Sequence, residues 1–325
     1  MKEDTTYIDL LKVILTVGIV FRHSAPDPAL CPPPIAMVVN CVVLLSELCV
    51  PLFFALSGYL FFYNAPSNHM IQWFGGKLKR RFFSLLIPYL IAVAVAFLAY
   101  RLVLLFGPDI LSGYLGDRWK DPVFVLWSGP INLSLWFIRE LIIVTLLSPI
   151  IWLIIRFTSY FGVVALGLLW YLGFCPAPWF LFSLGACLSF KNVGAAEGVG
   201  HSGPYFLLSY ICCYVAAMNC NGFINLTILT GLPMMVWIAS KLVVFFRIQL
   251  KPSIRAWCFF IYLYHYLPLV GLKKLVYSDV GNDTIIEGIV KYIVVAMIIL
   301  AVLTVFYLLM RKVLPKVMRV IVGGK

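Results

Sequence analysis

The sequence is poor in charge: only 12% of its 325 residues are Asp, Glu, Lys or Arg, and only 13 are acidic. A soluble protein of this length carries roughly twice that charged fraction. Hydrophobic residues instead make up 63% of the chain. The composition therefore excludes an ordinary soluble domain and predicts a polytopic membrane protein built as a single bundle.

The sequence also lacks the cysteine patterns of metal and disulfide sites. Its nine cysteines include no Cys-x-x-Cys pair, and most lie in apolar stretches. Cysteine in such stretches behaves as a small hydrophobic residue. We therefore predict no metal site. The first apolar stretch has no Ala-x-Ala-like cleavage site and many others follow it, so we expect no cleavable signal peptide.

Hydropathy predicts ten membrane spans, so the predicted fold class is an all-α integral membrane protein. With the N-terminus inside, the inner segments hold 15 Lys and Arg residues and the outer segments hold 4. The positive-inside rule then places both termini in the cytoplasm and accounts for the net charge of +12 without a nucleic-acid partner. The predicted spans are 7–24, 35–63, 82–106, 136–156, 159–174, 178–190, 204–219, 224–246, 256–273 and 288–310.

The first span carries ionisable residues, which are costly inside a membrane. Lys12 and His23 are eleven residues apart, so they share one helix face and lie about 16 Å apart along the axis. An ammonium can hold an anion, and an imidazole can move a proton near neutral pH. This spacing suits a long ligand with phosphate at one end and a reactive group at the other, such as a coenzyme A thioester. Taken alone, the pattern also fits a lysine that reaches the headgroups and a histidine that caps the helix.

Two further segments combine a structural and a functional interpretation. Ser57 and Gly58, in the second span, permit close approach of another helix or of a ligand. The basic run 77–81, which contains Arg80 and Arg81, is typical of headgroup contacts or of an anion-binding mouth. Both interpretations stay open for each segment.

A second group of polar residues is predicted near the outer surface. Trp136 lies at interface depth, and Arg139 with Glu140 lies one turn deeper, either as a structural pair or with Glu140 orienting the histidine of the first span. Glu47 lies in the outer half of the second span. His265, inside an apolar helix, is either a satisfied core histidine or a substrate contact.

These segments together resemble the integral-membrane acyltransferase family 3. Asp9-Leu10-Leu11-Lys12 followed by His23 resembles its first-helix signature, in which a basic residue, usually Arg, precedes an essential His by ten intervening residues. The other segments similar to family motifs, in the family's order, are PLFFALSGYLF (51–61), KRRFFSLLIPYL (79–90), LWFIRELIIVTLLSPII (135–151), WFLFSLGACLSF (179–190) and IYLYHYLPL (261–269).

The resemblance implies a fold of ten helices that moves acyl groups, often acetyl, across the membrane. It implies cytoplasmic acyl-CoA, with acetyl-CoA the expected species, as donor, and a carbohydrate or glycolipid hydroxyl on the outer side as acceptor. It also implies His23 as the catalytic residue and Lys12 as a contact to the donor phosphates. Lysine keeps the charge of the commoner arginine but not its bidentate geometry. The family is often fused to an extracytoplasmic domain; we expect a single domain over 1–325 without one.

The residues and the resemblance predict one mechanism in the plasma membrane. The CoA nucleotide is expected near Lys12, and His23 is expected to act as general base. A covalent acyl-histidine stays open. The supporting residues expected are Arg80 and Arg81 at the nucleotide, Ser57 and Gly58 along the pantetheine arm, Arg22 and Arg139 at the oxyanion, Glu140 or Glu47 beside the imidazole, and Glu47, Trp136 and His265 at the substrate.

A transporter or glycan exporter without acyl-transfer chemistry is the alternative, because it too has buried charges and broken helices. The sequence shows no inverted repeat and no paired interrupted helices in its two halves, which disfavours this class.

The outer loop 107–135 is the natural place for a polar acceptor to be met. Membrane lipid, acyl-CoA and the acceptor are the expected partners.

Overall fold

The computed structural model describes residues 6–66, 69–106, 124–128, 132–191 and 199–324, and the regular structure of these residues is helical throughout. Most of the predicted outer loop, residues 107–123, lies outside the described residues. The described α-helices are α1 (Thr6–Ser24), α2 (Pro33–Ser46), α3 (Cys49–Phe62), α4 (Met70–Arg81), α5 (Ile87–Phe106), α6 (Trp136–Leu146), α7 (Ser148–Thr158), α8 (Tyr160–Tyr171), α9 (Ala177–Phe190), α10 (Gly203–Asn219), α11 (Ile224–Phe246), α12 (Ile254–Tyr264), α13 (Tyr266–Val276), α14 (Ile285–Val313) and α15 (Pro315–Ile321).

Several of these helices are long and apolar enough to cross a membrane. In the described part of the chain, four segments meet this condition: Pro33–Phe62, Met70–Val103, Asn221–Phe246 and Ile285–Val313. A fifth is added if α6 and α7, which bend by 58°, form one broken span. The chain is therefore a multi-pass membrane protein. Each of the ten predicted spans falls on a helix or on consecutive helices, but the count of ten and the cytoplasmic termini stay predictions.

Three of the predicted spans are broken between consecutive helices, and in 35–63 and 256–273 a proline explains the break. Proline lacks the N–H that would bond the carbonyl four residues earlier. Pro51 removes the donor for the carbonyl of Glu47, where α2 ends and α3 begins. Pro268 likewise removes the donor for the carbonyl of Tyr264, the last residue of α12. The break at Pro268 places His265 between two helices.

Helices α3 and α9 pack with their backbones in contact. A Cβ atom added to Gly58 would lie 2.0 Å from the carbonyl oxygen of Phe182. One added to Gly185 would lie 1.8 Å from the carbonyl oxygen of Ala55. Small residues allow such an approach between membrane helices. Of the two interpretations that the sequence left open for Gly58, the structure thus shows close approach by another helix.

Helix α1 lies at the centre of the fold, in contact with α2, α3, α11, α12, α13 and α14. Its contacts with α12 run in parallel, since Asp9 meets Arg255 near one end and His23 meets His265 near the other. Its buried side chains include Leu11, which is fully inaccessible to solvent. The parallel pair α1–α12 carries most of the candidate site.

The α3–α9 contact predicts a position-specific response to an added methyl group. Gly58→Ala should lower the free energy of unfolding by roughly 1–3 kcal/mol, because the methyl group meets backbone atoms that cannot rotate away. The matched control is Gly75→Ala in α4, where an added Cβ meets nothing within 4 Å. Replacing that exposed helical glycine should be neutral or stabilising by up to about 1 kcal/mol. Thermal unfolding in detergent measures both, and equal midpoints for the two variants would contradict the packing described.

Candidate active site

One end of the site is an ionic cluster around the buried carboxylate of Asp9, at the start of α1. The Asp9 carboxylate accepts a hydrogen bond from Lys12 Nζ at 3.0 Å. It also accepts a two-pronged contact from Arg255, with Nε at 2.9 Å from each carboxylate oxygen and Nη2 at 2.8 Å from Oδ2. A buried carboxylate needs such partners because an unpaired charge in the interior is very unfavourable. Two positive charges against one negative charge leave the cluster cationic.

A cavity of about 300 Å³ begins at this cluster and runs between α1, α3, α6 and α12. The side chains that line it are cationic at Lys12, Arg81 and Arg255 and mainly apolar elsewhere. The other lining residues are Thr16, Phe53, Ser57, Leu60, Leu85, Phe137, Ile138, Leu141, Cys258, Phe259 and Tyr262. A slot with cations at one end and apolar walls suits an anionic ligand with a slender organic arm.

The cavity brings together three of the five residues predicted to contact the donor: Lys12, Ser57 and Arg81. The other two lie elsewhere in the described structure. Gly58 is buried against α9, and Arg80 is exposed, with its Nε donating to the carbonyl of Gly76 at 3.2 Å. Headgroup contact, the other interpretation of the basic run, is compatible with the exposed position of Arg80.

Arg255 is a site residue that sequence reasoning missed. It was counted only as one of the positive charges on the inner side. Its partner Asp9 is 246 positions away in the chain, so no local pattern shows the contact. The acidic residue in the first span is the one available signal, because a carboxylate at that depth gathers cations around it, including ones from other helices.

The other end of α1 is held by side chains from α13 and α14. The last carbonyl groups of a helix have no partner within the helix. Here Tyr292 donates to the carbonyl of Phe21 at 3.1 Å, and Tyr277 donates to that of Ser24 at 2.8 Å. Lys273 Nζ donates to the carbonyl of His23 at 3.2 Å. These bonds fix the helix end that carries the His23 side chain.

The rings that pack against His23 come from the break between α12 and α13. Its imidazole lies 5.3 Å from that of His265, centroid to centroid. The ring of Tyr266 stands nearly perpendicular to it at 5.4 Å. His265 has no solvent-exposed surface. The structure thus places His265, a predicted substrate contact, directly beside the predicted base.

The two carboxylates predicted to orient His23 are both held by arginines. Arg22 Nη1 lies 2.6 Å from Glu47 Oε1. Arg139 binds the neighbouring Glu140 through two nitrogens, at 2.8 and 3.1 Å from Oε1. Among the residues whose structure is described, the rings in contact with His23 are an imidazole and a phenol. Glu47 and Glu140 are paired with arginines instead. The two arginines, predicted at the oxyanion, have carboxylate partners in this conformation.

Trp136, the remaining predicted substrate contact, opens α6. Its side chain is 40% exposed, and its ring lies 6.5 Å from that of Phe54. An exposed tryptophan at a helix start fits the interfacial depth predicted for it. Lys273 is a further cation near His23 that was not predicted as a site residue.

A buried layer separates the cavity from His23. On α1 the cavity lining reaches Thr16, and on α12 it reaches Tyr262. Ile19, on the same face of α1, lies between Thr16 and His23 and is only 2% exposed. His23 is not part of the cavity lining among the described residues. A ligand that joined the cationic end to the histidine would therefore have to displace the Ile19 and Tyr262 side chains.

Comparison with known proteins identifies the family to which the sequence is similar. Residues 5–311 match the sequence model of the acyltransferase 3 family, described as an acyltransferase domain. The chain is also 32% identical, over 183 residues, to the succinoglycan biosynthesis protein ExoH of Rhizobium meliloti (strain 1021). That match covers 53% of this chain and 48% of ExoH, so the chain spans about half the length of the curated relative. No solved structure matches the chain.

Proposed function

Because the chain belongs to the acyltransferase 3 family, we propose that it is a membrane-bound O-acyltransferase of the cytoplasmic membrane. It takes an acyl group, acetyl in the simplest case, from cytoplasmic acyl-CoA and transfers it to a carbohydrate hydroxyl on the outer side. The observation that supports this most is the parallel pair α1–α12. It carries a cationic cavity at one end and two packed histidines at the other.

The cationic end of the cavity is the proposed binding site for the donor's phosphates. Lys12, Arg81 and Arg255 surround it, and Asp9 supplies one compensating negative charge. Arg255 holds Asp9, yet its side chain is 48% exposed, so part of its guanidinium can reach a ligand. A guanidinium binds phosphate in a bidentate manner and an ammonium does not. Arg255 thus supplies the bidentate geometry that the arginine usual in the family would have and that Lys12 lacks.

The middle of the cavity suits the pantetheine arm. Its walls are mostly apolar, and the hydroxyls of Thr16 and Ser57 line it. Thr16 Oγ1 is buried, and its partner in the described structure is the thiol of Cys258. A thiol is a weak hydrogen-bonding group. The amide groups of a pantetheine arm would supply stronger partners.

The histidine end is the proposed site of chemistry. The acceptor hydroxyl gives its proton to His23, and its oxygen attacks the thioester carbonyl. The new carbon–oxygen bond forms, the carbon–sulfur bond breaks, and His23 returns the proton to the thiolate of CoA. Arg22 precedes this histidine in the sequence, and Lys273 contacts its carbonyl. Either cation can stabilise the oxyanion once the donor is loaded. Loading opens the layer formed by Ile19 and Tyr262.

Removal of the imidazole tests the reaction. His23→Ala should lower transfer of labelled acetyl from acetyl-CoA into membrane polysaccharide by roughly a hundredfold or more, the usual share of a general base. The donor should still bind, because the cationic end is intact. The matched control is His201→Ala, at an exposed histidine, which should keep wild-type activity. Full activity of His23→Ala would refute the assignment, and wild-type protein that consumes no thioester would favour the export function.

Removal of either cation tests the donor site. Lys12→Ala and Arg255→Ala should each raise the dissociation constant for acetyl-CoA by roughly tenfold or more, since each removes a charge-assisted contact. Lys12→Arg should bind at least as well as wild type. Lys316→Ala, at an exposed lysine on α15, should have no effect and serves as the control for net charge. Equilibrium binding of labelled acetyl-CoA gives the constants, and wild-type values for both alanine variants would place the donor elsewhere.

A further inference from the structure

We propose that His265 is a positioning residue for His23. Its Nε2 atom accepts a hydrogen bond from one ring N–H of His23 and thereby keeps the other ring nitrogen of His23 unprotonated and ready to act as base. The proposal rests on the proposed function, because it assigns a role within that reaction. It replaces a carboxylate with a neutral imidazole as the group that orients the catalytic histidine.

The tautomer of His265 follows from its contacts. Its Nδ1 atom lies 2.9 Å from the carbonyl oxygen of Tyr262 and 3.2 Å from that of Ile261. A carbonyl oxygen only accepts hydrogen bonds, so Nδ1 carries the proton. In the neutral ring Nε2 is then an acceptor. The carbonyl of Ile261 also accepts the backbone N–H of His265 at 3.0 Å, so the shorter ring contact, at 2.9 Å to the carbonyl of Tyr262, is the main one.

The Nε2 atom of His265 has no hydrogen-bond partner in the described structure, although the residue is completely buried. A buried acceptor left unsatisfied is unfavourable by about 1–3 kcal/mol. Such an atom indicates a partner that forms in another state of the site. The neighbouring ring with N–H groups is that of His23, whose centroid is 5.3 Å away with the planes tilted by 44°. A rotation of the His23 ring brings one of its N–H groups onto Nε2.

The carboxylates do not compete for this role in the structure. Glu47 is held by Arg22 and Glu140 by Arg139. His23 faces the rings of His265 and Tyr266 and the cation Lys273. The neighbouring residue Arg22 forms its ion pair with Glu47, at the end of α2. The ammonium of Lys273 only donates hydrogen bonds, so it does not accept one from His23. A neutral acceptor orients His23 without holding a proton on it as strongly as a carboxylate would.

In the reaction His265 exchanges no proton. The acceptor's hydroxyl proton moves to the free nitrogen of His23 and then to the sulfur of CoA, while the acyl carbon exchanges its bond to sulfur for a bond to oxygen. His265 keeps its Nδ1 proton on the carbonyls of Ile261 and Tyr262 throughout. It stabilises the transient imidazolium of His23 through Nε2.

Two substitutions of His265 separate the contact made by its Nδ1 atom from the contact made by its Nε2 atom. His265→Asn places an amide near the position of Nδ1 but nothing at Nε2. His265→Gln places an amide oxygen near the position of Nε2. We expect His265→Asn to lower kcat by roughly tenfold or more, part of the factor contributed by the base, with an unchanged dissociation constant for acetyl-CoA. His265→Gln should recover much of that loss. Equal losses in both variants, or full activity of His265→Asn, would overturn the proposal.

Nitrogen NMR of protein that keeps His265 tests the proposal even if either variant unfolds. The sequence has only four histidines, so nitrogen NMR of histidine-labelled protein in lipid gives few signals. His69→Gln and His201→Gln remove the two surface signals. The remaining spectrum should show His265 protonated at Nδ1, with an Nε2 signal that shifts in His23→Ala. Protonation at Nε2, or no shift, would contradict the pairing even in a protein that is inactive, whereas absence of acyl transfer with the expected spectrum would count against the proposed function alone.

Discussion

The contact on which the site depends is the ion pair between the buried Asp9 carboxylate and two cations, Lys12 on its own helix and Arg255 on α12. An unpaired charge at this depth is strongly unfavourable, so the pair fixes how far α1 is shifted along α12. With that register set, the far ends of the helices bring His23 against His265. One electrostatic constraint thus positions the proposed anion-binding end and the proposed proton-transfer end together.

The arrangement separates binding from chemistry along a single helix. In the proposed function, phosphates bind where positive charge exceeds negative charge, and the reacting group lies about three turns away. Ile19 and Tyr262, both buried, lie between these two ends. In the proposed reaction, such a layer would keep water and unbound acceptor away from the thioester until the donor opens the path. The broken helix at His265 supplies the irregular backbone that a site inside a membrane needs, in a place where the protein buries it.

The parts of the site that follow local rules could be predicted from the sequence. Helical periodicity is enough to place Lys12 and His23 on one face, and hydropathy is enough to place every predicted span on helix. Contacts across the fold could not be predicted in this way. Gly58 was recognised as a point of close approach, but only the packed structure identifies α9 as its neighbour. Arg255 is only a topology signal in the sequence because its partner is distant in the chain. For Glu140 the sequence leaves a structural pair and a contact to His23 open, and the structure shows a pair with Arg139.

The central claim, that acyl-CoA occupies the cavity beside α1, can be tested at a native thiol. Cys258 lines the cavity, whereas Cys212 and Cys220 are exposed elsewhere. The measurement is the rate of alkylation of each cysteine by a small membrane-permeant maleimide, followed by mass spectrometry with and without saturating acetyl-CoA. The account predicts that acetyl-CoA slows modification of Cys258 and leaves the two exposed cysteines unchanged. An unchanged rate at Cys258 in protein that has bound acetyl-CoA would contradict it.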